Sequence, residues 1–269
     1  MCSDNLEAYI WYSNVFACYS NDIDRYYELL SAEIRRLNLD SKVLTTIGGY
    51  PLYFIKSKNS ATKEKQRLIS AGFHGEEPAG PWGILHFLSC LEPTNLTHIN
   101  LNILPLVNPT GFAKGRRLNN WGENPNRGFP HPSMIESTAE QASLEGLVLL
   151  ENLDLLKAAS KDGFLTCHED VCSANGYVYT YENQHEPGTF SKALRDTLAC
   201  HFPIVADGEV DGCRVNDGII FNQFDSSFES FLVSSGITLA CCSETPGMQN
   251  LDLRIQANAE LISAFLGRK

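Results

Sequence analysis

The chain has 269 residues, of which 43% are hydrophobic and 20% charged, and its formal net charge is −11 at pH 7. That length buries a sizeable core, and the composition is that of a globular protein. The acidic balance argues against nucleic acid or an anionic membrane as partner, because both reward clustered Lys and Arg.

The N-terminus, MCSDNLEAYIWYSNVF, has no basic segment ahead of an apolar core, and no apolar run is long enough to span a bilayer. A cytoplasmic location is expected. Residues 1–45 read as a helical lead-in, within which Asp22 to Leu37 places Ile23, Tyr26, Tyr27, Leu30 and Ile34 on one helical face. Val43 to Ile55 reads as two strands joined at Gly48-Gly49, and Arg67 to Phe73 as a strand. Pro78 and Pro81 open a helix over Trp82 to Leu91. Ile99 to Val107 is a strongly apolar strand that stops at Asn108-Pro109. A polar stretch rich in Gly, Asn, Arg and Pro fills Thr110 to Pro132, and a loop of that length in a compact domain points to function.

A helix is expected from Ser137 to Leu156, a short strand from Gly163 to Cys167, and helices over Phe190 to Phe202 and Ser226 to Val233. Ile237 to Cys242 reads as a buried strand and Asp252 to Leu266 as a closing amphipathic helix. Tyr177, Tyr179 and Tyr181 have the alternation of an ordinary strand. The pattern predicts one α/β domain over residues 1–269, with a central mixed, mostly parallel sheet flanked by helices. The nine cysteines are odd in number, irregularly spaced and without a C-x-x-C pair, so they read as reduced and structural.

Three strand ends carry titratable groups. The first ends in His74 with Glu77 three residues on, the second in His168-Glu169-Asp170, and the third in Ser243-Glu244. In an open α/β sheet, ligands bind at the carboxyl ends of the strands. If these strands run parallel, two histidines and two carboxylates share one edge. Two His and one carboxylate can hold a catalytic zinc ion, and the remaining glutamate can then handle protons. Each piece alone is unspecific, since His-x-x-Glu arises readily by chance and a lone His at a strand end is commonly a hydrogen-bonded surface residue.

The loop adds Asn108-Pro-Thr-Gly111, Arg116-Arg117 and Asn126-Arg-Gly-Phe129. With His74/Glu77, His168 and Glu244, these elements run in the order and spacing of the zinc metallocarboxypeptidase family over about Ser70 to Gly247, and the chain resembles its short bacterial members. The resemblance implies that His74, Glu77 and His168 bind one Zn²⁺ per chain, whose water attacks the scissile carbonyl. It further implies Glu244 as general base and Arg117, with Arg116 beside it, as stabiliser of the oxyanion. Asn126 and Arg127 would grip the terminal carboxylate of a small peptide, which a cell-wall peptide could supply. By offset from Glu244, Glu229 falls at the specificity pocket and suggests a preference for a terminal residue carrying an amine. Glu76 would face away from the metal, and Glu169 and Asp170 would be hydrated at the surface.

Two departures from the family stand out. Asn124 replaces an aspartate that would orient a metal-binding histidine, and Phe221 lies near the place of a mobile tyrosine. The "HGEE" motif and the Arg and Asn-Arg elements also resemble aspartoacylase and succinylglutamate desuccinylase, which remove an acyl group from an amino acid. Those enzymes usually carry a β-rich C-terminal extension, so a peptidase is the preferred reading. A binding protein that retains the scaffold without catalysis is a third. The sequence does not determine the oligomeric state.

Overall fold

A computed structural model describes residues 20–58, 65–130 and 141–267. The first part of the lead-in, Cys2 and Cys18, the end of the polar loop and the beginning of the helix expected from Ser137 lie outside them. Helix α1 (Ile23–Arg36) starts at Asp22, whose carboxylate accepts a hydrogen bond from the Arg25 amide. The lead-in does not stay helical to residue 45, because β1 (Asp40–Ile47) already pairs antiparallel with β2 (Tyr50–Lys56). Gly48 and Gly49 make the turn between them with φ of 59° and 90°, a region that favours glycine.

The chain continues through β3 (Arg67–Ala71), α2 (Ala79–Ser89), β4 (Leu101–Leu104) and a single helical turn, α3 (Pro109–Phe112). The expected long helix splits into α4 (Leu144–Glu151) and α5 (Leu153–Ala159). At the break, the Asn152 amide donates to the Val148 carbonyl, and such local side-chain bonds compete with helix continuation. Then come β5 (Phe164–Asp170), β6 (Tyr177–Glu182), α6 (Thr189–Ala199), the short strands β7 (Gly208–Val210), β8 (Cys213–Val215) and β9 (Ile219–Phe221), α7 (Phe228–Ser234), β10 (Leu239–Pro246) and α8 (Leu251–Phe265).

One eight-stranded sheet has the order β1-β2-β4-β3-β5-β10-β6-β9. Its centre, β4-β3-β5-β10, is parallel; β2 and β6 join it antiparallel, β1 pairs antiparallel with β2, and β9 runs parallel to β6. This is the mixed, mostly parallel sheet expected. Helices cover both faces. Ile69, Ala71, Leu165 and Cys241 pack on one side with Leu30, Trp82, Leu194 and Ile262 of α1, α2, α6 and α8. Leu68, Phe164 and Ala240 pack on the other with Leu149, Leu156 and Phe228 of α4, α5 and α7. No helix of the described residues is long and apolar enough to cross a membrane. Cys90, Cys167, Cys172, Cys200, Cys213, Cys241 and Cys242 are all free thiols.

Two strands run further than expected. The β5–β10 ladder continues through Glu244 opposite His168 and ends with Pro246 opposite Asp170. Glu169 therefore lies inside a central strand and is buried, contrary to the surface position expected for it. Pro78, at the start of α2, provides no side-chain cap. The Glu169 carboxylate caps the helix instead, accepting from the Ala79 amide at 2.6 Å, and Arg254 of α8 pairs with its other oxygen. Burial lowers the pKa of Arg254 to about 10, but the guanidinium stays charged at neutral pH. Removing one partner of a buried pair leaves the other charge uncompensated. Arg254→Met is expected to cost about 3–5 kcal/mol of unfolding free energy, and Glu169→Gln combined with it should cost less, both read by urea denaturation. A loss below about 1 kcal/mol for Arg254→Met would place the pair in water rather than in the core.

Candidate active site

His74 and Glu77 sit on the turn that links β3 to α2. Gly75 lies so close to the Gly111 and Phe112 backbone that a Cβ there would overlap it, and its amide donates to the Arg116 carbonyl at 3.0 Å. This contact joins the turn carrying His74 and Glu77 to the loop carrying Arg117. Asn108 secures the same junction: its side chain caps Gly111 and donates to the carbonyls of Phe73 and Arg117. His168 projects from β5 and Glu244 from its register partner on β10. The polar loop contributes Asn124, Asn126 and Arg127, and the first turn of α7 contributes Glu229.

These elements converge on the Glu77 carboxylate. His74 Nδ1 lies 2.7 Å from Glu77 Oε1, and His168 Nδ1 lies 2.8 Å from Glu77 Oε2. The Glu169 amide approaches Oε2 at 3.3 Å, and an Arg117 guanidinium nitrogen approaches Oε1 at the same distance. His74, Glu77 and His168 are 3%, 2% and 2% exposed, so the cluster is buried. The rings are also held from behind. Asn124 Oδ1 sits 3.1 Å from His74 Nε2, and Phe73 stacks on His168 with centroids 5.8 Å apart.

The donor set fits a divalent transition metal. One ligand atom from each of His74, Glu77 and His168 lies within 4.8 Å of the others, and two imidazoles with one carboxylate are a zinc set that leaves room for a further ligand. His74 has its other ring nitrogen on an oxygen acceptor, which leaves Nδ1 for a metal.

The charges are strongly coupled. Burial would raise Glu77, but the two imidazoles outweigh it and hold the carboxyl at about 2. Burial opposes charge on His168, yet Glu77 and Glu229 hold its imidazole up at about 10. His74 is pushed down by burial, which Glu77 offsets only in part. Burial lifts Glu244 to about 8, with His168 attraction opposing the rise and Glu77 repulsion adding to it. A dication at this point reverses that balance and favours the carboxylate form of Glu244.

The other expected residues are placed unevenly. Arg117 rather than Arg116 reaches Glu77; Arg116 is exposed and contributes its backbone carbonyl to Gly75. The same Arg117 nitrogen also approaches Glu76 at 3.7 Å. Asn126 is buried and donates to Glu229, while Arg127 is partly exposed and faces Asp225 at 3.4 Å. Glu229 is 1% exposed, with an oxygen 3.7 Å from His168 Nε2. Phe221 is partly buried in β9, and the Tyr177 hydroxyl, on the strand beside Glu244, donates to Asp170. Cys242 was not anticipated. Its sulfur lies 3.5 Å from Glu244 Oε1 and clusters with His168 and Glu229. Its position two residues before Glu244 on one strand face was the available signal.

The succinylglutamate desuccinylase/aspartoacylase catalytic domain matches residues 63–163. No match was found among curated proteins. Among solved structures, a candidate metallopeptidase from Shewanella amazonensis SB2B is 55% identical, with 92% of this chain and 93% of that chain covered and a TM-score of 0.87. Another from Shewanella denitrificans OS217 is 50% identical, with coverages of 92% and 90% and a TM-score of 0.86. The murein-tripeptide amidase MpaA from Escherichia coli O157 shares the fold at 17% identity, with coverages of 84% and 91% and a TM-score of 0.57. Near-complete coverage at half identity or more extends the likeness beyond individual motifs, and the chain belongs to the same family as these metallopeptidases.

Proposed function

We propose that the protein is a zinc-dependent carboxypeptidase that hydrolyses the C-terminal amide bond of a small peptide, a cell-wall peptide being one such substrate. The observation that carries this reading is the convergence of His74 Nδ1, His168 Nδ1 and both Glu77 oxygens beside Glu244. A zinc ion held by these three residues would acidify a water molecule and polarise the scissile carbonyl. Glu244 takes a proton from the attacking water and delivers it to the leaving nitrogen. Its partly buried position at a strand end suits proton transfer near neutral pH. The Arg117 guanidinium, anchored beside Glu77, donates to the carbonyl oxygen as negative charge develops there. Arg127, with its partly exposed fork, and Asn126 bind the terminal carboxylate and so set which bond meets Glu244.

A second reading is an N-acyl amino acid deacylase with the same metal set, supported by the family match over residues 63–163. That span includes His74, Glu77, Arg117, Asn126 and Arg127 but stops before His168 and Glu244. The relatives that align over nine-tenths of the chain are named as metallopeptidases, which favours the peptidase.

Elemental analysis after dialysis should find about one zinc per wild-type chain and little in His168→Ala, because three ligands are the minimum for a retained zinc site. A folded wild-type chain that retains no zinc would turn the proposal towards a carboxylate-binding protein. Glu244→Gln should keep its zinc and lose about 10²–10⁴-fold in kcat, the usual contribution of a positioned general base. Side-by-side turnover of dipeptides and N-acyl amino acids decides between the two hydrolases, and faster turnover of the acyl compounds would replace the first reading by the second.

A further inference from the structure

We propose that Glu229 is a positioning residue for His168, accepting the Nε2 proton that this ring carries when Nδ1 faces a cation, rather than a residue of a specificity pocket. The inference rests on the proposed metal site at His74, Glu77 and His168. A neutral imidazole with Nδ1 turned to a metal keeps its remaining proton on Nε2, and that N–H needs an acceptor in a buried site.

The surroundings of Nε2 leave little choice. Asn126 Nδ2 is 3.4 Å away, but the Phe228 amide donates to Asn126 Oδ1 at 3.0 Å and so fixes which end of the amide faces the ring. Asn126 therefore presents N–H groups, which cannot accept. Cys242 is near, but a buried neutral thiol is a weak acceptor. The remaining oxygen is Glu229 Oε1, at 3.7 Å. Closing that gap to a hydrogen bond takes a movement of less than about 1 Å.

Glu229 is also poorly placed to meet a substrate. Its side chain is covered, and Asn126 Nδ2 reaches both carboxylate oxygens, at 3.4 and 3.2 Å. A substrate amine would have to displace Asn126, which is itself expected to hold the substrate carboxylate. The two metal-facing histidines thus differ. His74 rests on the amide of Asn124, and the carboxyl outer partner belongs to His168. A carboxylate behind a metal-binding imidazole fixes its tautomer and raises its basicity.

Zinc affinity, measured by competition with a chromophoric chelator, tests this in the wild type, Glu229→Gln and Glu229→Ala. Glu229→Ala should bind zinc about 10–100-fold more weakly. Glu229→Gln keeps the shape and an acceptor oxygen but loses the charge, so its affinity should fall between the two. The ratio of lysine- to leucine-terminated peptide turnover should not change in Glu229→Gln. Wild-type zinc affinity in Glu229→Gln, or an altered ratio with unaltered affinity, would overturn the inference and return Glu229 to a specificity role. Thermal melting of the metal-free proteins checks folding, and Glu229→Gln decides alone if Glu229→Ala does not fold. Failure of the wild type to bind zinc would defeat the metal site itself, whereas tight wild-type binding matched by both variants would defeat only the role of Glu229.

Discussion

The Glu77 carboxylate, held between two imidazoles in a buried site, is the constraint on which the rest of the centre depends. A buried carboxylate is costly unless every lone pair finds a donor or a cation. Glu77 meets that demand with His74, His168, Arg117 and the Glu169 amide, and so draws its own turn, β5 and the polar loop to one point. The same demand makes the cluster a place for a cation, because the groups that gather around Glu77 are themselves metal ligands. Structure and chemistry thus arise from one electrostatic requirement.

The scaffold answers this constraint with backbone rather than with side-chain adjustment. Parallel pairing sets Glu244 beside His168, and a slip of one residue between the strands would put the two side chains on opposite faces. Gly75 permits the close approach of two backbones, so the turn that carries His74 and Glu77 cannot drift from the loop that carries Arg117. The asparagines of that loop have distinct tasks. Asn108 ties the loop to β3, Asn119 bonds both Glu123 and Glu145, and Asn124 and Asn126 stand behind the histidines. Because amides both donate and accept, a loop rich in them can satisfy its own buried polar groups without regular structure.

Much of this was legible in the sequence. Apolar runs ending in His74, His168 and Glu244 marked a sheet with a chemical edge, and that edge exists because β3, β5 and β10 are parallel neighbours. What was not legible depended on contacts distant in the chain. Nothing local says that Glu169 is buried: its partner is Arg254, 85 residues away. Nor does local sequence locate Glu229, whose environment is made by Asn126 and His168. Strands of three residues, such as β7, β8 and β9, are too short to display a period, and the helix break at Asn152 comes from one side-chain bond that periodicity does not register.

The distribution of charge gives the centre its direction. Glu77, Glu229 and Glu244 bring three carboxyl groups together around His168; Glu77 and Glu229 favour its charged form against burial, while burial favours the protonated form of Glu244. A divalent cation at Glu77 can take over the balancing role of those protons. In the proposed hydrolysis, each proton displaced would leave a group in the form the mechanism uses: an imidazole with a free lone pair, and a glutamate able to accept a proton. Under that proposal, the acidic surplus that looks costly in isolation couples cation binding to readiness for hydrolysis. An asparagine rather than an aspartate behind His74 keeps a fourth carboxyl group out of this cluster.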